Sequence, residues 1–247
     1  MIKKLEHVVN LYLGEISLIG VFANSIEQYL TEKLQYKPKI PFSKKEKEHI
    51  KEICEFLTNP AKDNSVSKIE VPEEIANFVL NKAIAIKQKT ILAEMSLVYL
   101  VSYQEGFIKD YFYKLFINKK EMLKSSTKIS YEEIINYTSI ETIISTMAEK
   151  EINSIGYGSI DDMAVYIEKK FNINLSEFHN WGSLREINYR RNIIIHNRGR
   201  TNSVYCTKTG YNEKNKHLDT DFKYISKAVN IVESFIKFLH DRVLNKF

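Results

Sequence analysis

Proline, glycine and cysteine are all scarce in this 247-residue chain. The four prolines (Pro38, Pro41, Pro60, Pro72) lie in the first 72 residues, and only eight glycines and two cysteines occur anywhere. Proline lacks the amide that an interior helical turn uses, and glycine loses the most backbone freedom on ordering, so a long stretch poor in both favours long helices. The cysteines, Cys54 and Cys206, are far apart with no metal-ligand spacing, which excludes a disulfide framework and points to a reducing, cytoplasmic setting. A membrane span is not expected either. Lys3 and Lys4 precede apolar residues, but Glu6 and His7 follow at once and Glu15 breaks the run, leaving residues 16–26 too short to cross a bilayer.

Arginine is the most informative shortage. Of 36 Lys+Arg only six are arginine, and five of these (Arg185, Arg190, Arg191, Arg198, Arg200) fall in Leu184–Arg200, L-R-E-I-N-Y-R-R-N-I-I-I-H-N-R-G-R. Lysine carries the ordinary surface charge, whereas a rigid, permanently charged guanidinium fork suits phosphate. His196, Asn192, Asn197 and one acid, Glu186, stand beside them. The net charge of +5 permits a nucleic-acid partner without requiring one.

In chain order, residues 3–34 carry Val8, Leu11, Ile16, Ile19, Phe22, Ile26 and Tyr29 at a roughly helical period. Ser43 with Glu46 predicts a capping box opening a charged helix to Leu57, a polar loop covers 59–70, and Pro72 suits a first helical residue. A long helix then runs from there, or restarts near Lys87, to about Ile117. Its expected apolar stripe is Ile91, Met95, Val98, Ser102, Glu105, Ile108, Phe112, in which Glu105 either rolls out to solvent or is held against a cation. Ser130 with Glu133 predicts a capped helix to about Glu151, Ser159 caps another through Phe171, and the arginine-rich helix ends at Asn197 and Gly199, both tolerant of left-handed backbone. Residues 201–217 read as a loop or small hairpin, and 219–245 as a final helix. The expected class is all-α: an antiparallel bundle of four to five helices over 87–247, with a helical section, 1–86, that either completes the core or serves as a sensor or partner-docking unit.

On the arginine-rich helix, Leu184, Ile187, Arg191 and Ile194 share one face, and Arg185, Tyr189, Asn192 and His196 share a polar stripe expected to point away from it. Arg191 and His196 are separated by about 140° around an ideal helix. One rigid face cannot bring them together; they converge only if Arg191 reaches round the helix or if two copies combine their stripes across a dimer.

The order R-N-I-I-I-H-N-x-G resembles the motif of the HEPN superfamily, in which an arginine and an adjacent polar residue precede a histidine by four to six positions. The preceding L-V-Y-L-V-S-Y-Q-E-G-F looks like that family's first bundle helix with its acidic residue, here Glu105, and the resemblance covers roughly 87–245. It implies a metal-independent, cofactor-free endoribonuclease of the toxin or defence type, acting on RNA, tRNA among the candidates, as a homodimer, with an antitoxin or sensor as partner. Carried over, Arg191 and His196 take the two obligatory catalytic places and Asn192 the adjacent polar one. Glu105 supports them by pairing with Arg190 or Arg191, and Arg190, Asn197, Arg198, Arg200 and Tyr189 contact substrate. The chemistry agrees: histidine titrates near neutrality and serves as base or acid, and arginine stabilises phosphorane charge.

Other chemistries find no support in the sequence. There is no HExxH, glycine-rich phosphate loop or nucleophile elbow, and His7, His49, His179, His196, His217 and His240 lack ligand spacing. The reading of a different class is a non-catalytic module binding RNA or nucleotide, or serving assembly, on the same bundle.

Overall fold

Two long helices carry the fold: α1 (Ile2–Leu34) and α2 (Glu73–Asn118). The structure, a computed structural model, describes residues 1–34, 43–45, 48, 50–51, 73–123, 130–156 and 158–247. Among the described residues the remaining helices are α3 (Tyr131–Ile135), α4 (Ile140–Gly156), α5 (Ile160–Phe171), α6 (Trp181–Asn197), α7 (Ser203–Thr209) and α8 (Phe222–Leu244), with no strand. The all-α class is therefore as expected. Pro72, the loop at 59–70 and most of the helix expected after Ser43 lie outside the described residues.

α2 is the central element, flanked by α1, α4, α6 and α8. At 46 residues it is roughly 69 Å long. Its core face is Leu97, Leu100, Val101, Phe107, Ile108, Tyr111, Phe112 and Leu115, all essentially without exposure. That spacing of three and four residues is one helical face, and burying each aromatic contributes about 2–3 kcal/mol. The stripe expected from sequence is partly wrong: Ile91 is 45% and Met95 61% exposed. Apolar residues such as Ile91, Met95 and Tyr99 also lie off the core face of α2, so periodicity alone does not tell which side meets the core.

α1 buries Leu5, Val8, Ile16, Ile19, Ala23 and Leu30 against α2 and α8. Residues 86 and 87 lie inside α2, so the expected division there falls within one continuous helix, and α1 forms one wall of the same core. Close approach is allowed at Gly106, where a Cβ would sit 3.1 Å from Tyr12 Oη. Contrary to the reading of its longest uncharged run, residues 2–33 of α1 are long and apolar enough, by length and composition, to cross a bilayer.

The capping box at Ser130–Glu133 and the cap at Ser159 form as expected, and Asp162 reaches back to make the second a capping box as well. The first opens only five residues, because Ser139 caps a new helix: its hydroxyl accepts from the Thr142 amide at 3.2 Å. α5 then runs to Phe171, whose ring stacks on Phe112 with centroids 4.6 Å apart. Within the segment 201–217, expected as a loop or small hairpin, Ser203–Thr209 form α7, capped by Asn202, while the remainder is non-helical and closes through an antiparallel backbone bridge between Arg200 and His217.

Candidate active site

α6 carries the R-N-x3-H residues. It ends where Arg198 (φ 53°) and Gly199 (φ 73°) take left-handed backbone, with the Arg198 and Gly199 amides both turned back to the Ile193 carbonyl. The expected left-handed residue at Asn197 is thus corrected: Asn197 is the last helical residue, and Arg198 makes the turn at a cost of about 1 kcal/mol.

α6 is buried on two sides rather than one. Toward α2, buried Asn188 donates to Gln104 Oε1 at 3.2 Å and to the Leu184 carbonyl at 2.9 Å. One turn on, the Arg191 guanidinium donates through Nη2 to Glu105, forming an ion pair. The Arg191 side chain is only 19% exposed and that of Glu105 46%, and Arg191 Nε is buried with no partner. Both expectations for Glu105 hold in part. It is half in solvent and it holds a cation, Arg191 rather than Arg190.

Arg190 is committed elsewhere. Its Nε donates to Glu186 at 2.7 Å, Nη1 donates to the Asp219 carbonyl at 3.1 Å, and the guanidinium lies 4.3 Å over the Tyr224 ring. Glu186 also accepts from the hydroxyls of Tyr205 and Tyr224, each at 2.6 Å. Burial first, and then the neighbouring Glu186 carboxylate, push both phenols up. This hub ties α6 to α7 and α8, so the expected role of Arg190 as a substrate contact does not match its place in this arrangement.

The upper part of the polar stripe does not face solvent either. Arg185 forks onto Asp161 of α5 at 2.6 and 2.9 Å, and buried Tyr189 donates to the same carboxylate at 3.0 Å. Lys208 of α7 joins at 3.1 Å. These donors, Arg185 foremost, lower Asp161 to about 2. Tyr189, expected at substrate, is a structural phenol whose hydroxyl is raised by burial.

What remains accessible lies at the C-terminal end of α6. Asn192 is half-buried, and His196, Arg198 and Arg200 are exposed. Among the described residues the side chains of Asn192, His196, Asn197 and Arg198 make no hydrogen bond or ion pair, while Arg200 donates once, to the Asn215 carbonyl at 3.1 Å. Just beyond, a Cβ on Gly199 would meet His217 Nε2 at 3.0 Å and Glu94 Oε1 at 3.4 Å. Burial raises the Glu94 carboxyl, an effect His217 opposes.

Asp161, Gln104, Glu94 and His217, brought beside this helix from other elements, carry no signal in the sequence that ties them to it, whereas Glu186 and Asn188 lie on the helix itself, Asn188 as a polar residue one turn past Leu184 on the apolar seam. The site thus offers a guanidinium fixed by a carboxylate and an unpaired imidazole on one helix, able to hold a phosphate and move a proton. Among the described residues no cluster of three or more His, Cys, Asp or Glu is suited to a metal ion. Comparison with known proteins finds no matching family model, no matching curated protein and no matching solved structure.

Proposed function

We propose that this chain is a metal-independent endoribonuclease, a cytoplasmic toxin or defence effector working through Arg191, Asn192 and His196, as its resemblance to the HEPN superfamily implies. The observation that carries the reading is the contrast within α6: Arg191 is anchored by Glu105, while His196 is exposed and makes no hydrogen bond or ion pair. A structural histidine at a helix end would be expected to bond a nearby carbonyl. A proton carrier must be free to reach substrate.

In the proposed reaction the RNA 2′-oxygen attacks the adjacent phosphorus and its proton passes to an imidazole. The P–O5′ bond breaks with a proton returned to the 5′-oxygen, leaving a 2′,3′-cyclic phosphate and a 5′-hydroxyl. Arg191 stabilises the charge that gathers on the phosphorane oxygens. Asn192, four residues before His196, orients the imidazole or holds a phosphate oxygen. Arg191 and His196 diverge by about 140° on the helix, so pairing two copies of α6 in a homodimer brings the guanidinium of one to the imidazole of the other, and the two His196 side chains serve as base and acid. Arg198 and Arg200 contact the RNA backbone.

The test is incubation of purified protein with total RNA in EDTA, beside Arg191→Ala and His196→Ala. Cleavage that survives chelation and is lost in both folded variants supports the proposal. A requirement for added metal, or a monomer at micromolar concentration that still cleaves, overturns the mechanism. RNA bound but left intact by the wild type identifies the non-catalytic module instead.

A further inference from the structure

The opposite side of α2 carries a feature that the ribonuclease reading does not use. Along α1, Leu11, Glu15, Leu18 and Phe22 follow one another at helical spacing, facing Met95, Tyr99 and Tyr103 on α2. Between the two stripes lie cavities of about 350 and 390 Å³ that share Glu15 as a lining residue. Leu18 is 62% and Phe22 55% exposed, and Met95 and Tyr99 are as open. From Leu11 to Phe22 the groove is roughly 16 Å long, the length of about three helical turns.

Its charge selects the occupant. Two other carboxylates along the α1–α2 seam have closer partners: Asp110 accepts from Tyr12 Oη at 2.7 Å, and Glu27 pairs with Lys89 at 3.2 Å. Glu15, midway along the groove, has no cation among the described residues and accepts only from Tyr103 Oη, at 3.4 Å. A half-buried carboxylate flanked by apolar pockets repels phosphate, and it disfavours hydrocarbon. Two copies meeting groove to groove about a twofold axis would bring Glu15 against Glu15 without a counter-charge.

We propose that the α1–α2 groove is a docking site for an amphipathic helix of another protein, with aliphatic residues at i, i+3 or i+4 and i+7 and a lysine or arginine between them that pairs with Glu15. The aliphatic residues fill the pockets beside Phe22 and Leu11, and the cation provides register and specificity. The surface is independent of Arg191 and His196, so its fate is separable from that of the ribonuclease.

The probe is a labelled synthetic helical peptide with leucines at i, i+3 and i+7 and one central lysine, titrated against the full chain by fluorescence anisotropy. Binding is expected to weaken by about tenfold in Glu15→Lys, and a peptide with glutamate replacing its lysine should recover affinity for that variant. Leu18→Asp, at an exposed position, should abolish binding and leave the circular-dichroism melt unchanged. No binding to the wild type, or binding indifferent to Glu15→Lys, overturns the proposal. So does a solution dimer, or sedimentation with phosphatidylcholine vesicles, that Leu18→Asp abolishes, because the groove then belongs to a second copy or to lipid.

Discussion

Asp161→Asn tests what holds the arginine-rich helix in place. Asp161 sits in the first turn of α5 and takes two bonds from Arg185, one from Tyr189 and one from Lys208, so a single carboxylate joins α5, α6 and α7. Its side chain is 22% exposed, which keeps the bonds partly out of water. These donors lower its pKa from 3.8 to about 2. A shift of that size corresponds to about 2 kcal/mol of stability at neutral pH. The sign follows from linkage. The folded pKa lies below the unfolded one, so the contribution is complete well above pH 3.8, begins to fall as the unfolded carboxylate protonates, and is lost as pH falls through about 2. About half should remain at pH 3. Urea unfolding of wild type and Asp161→Asn between pH 7 and pH 3 should therefore give a gap of about 2 kcal/mol that is flat down to about pH 5 and then narrows. A cycle with Arg185→Gln should assign the largest part of that gap to the fork, because its two bonds are the shortest pairing. Equal stability of variant and wild type at pH 7, or a gap that does not change on acidification, would falsify this account of how α6 is held.

Glu105→Gln should cost about 1 kcal/mol, discounted for the half-exposed carboxylate, because it weakens the hold on a guanidinium whose Nε is already unpaired. On the ribonuclease reading it should also slow RNA cleavage, and unaltered fold and rate together would make the pair unimportant. Gly199→Ala should destabilise by about 1–2 kcal/mol, since φ there is 73° and the new methyl lies 3.0 Å from His217 Nε2; thermal melting measures it. Arg198→Gly, at φ 53°, should instead raise stability by up to about 1 kcal/mol while weakening RNA binding in a filter assay. A variant stabilised with RNA affinity intact would remove Arg198 from the proposed contacts.

The helical class, several helix ends and the residues on which the functional proposal rests are legible in the chain alone. These are local properties. Capping boxes at Ser130 and Ser159 join residues three apart, absent prolines leave long helices unbroken, and the R-N-x3-H order lies on one helix. Two ends differ: the helix opened at Ser130 stops at Ile135, and the left-handed turn after the arginine-rich helix falls on Arg198 rather than Asn197, against residue preference. Tertiary structure decided what each charge does. Five arginines in seventeen residues look alike in the chain, yet Arg185 is tied to Asp161, Arg190 to Glu186, and Arg191 to Glu105, 86 positions away. It also decided which side of α2 meets the core, leaving Met95 and Tyr99 on the open groove with Glu15. Periodicity reports that a helix has an apolar face. Only the packing of its neighbours determines which apolar face is covered, and a counter-charge distant in sequence is brought to its partner only by folding.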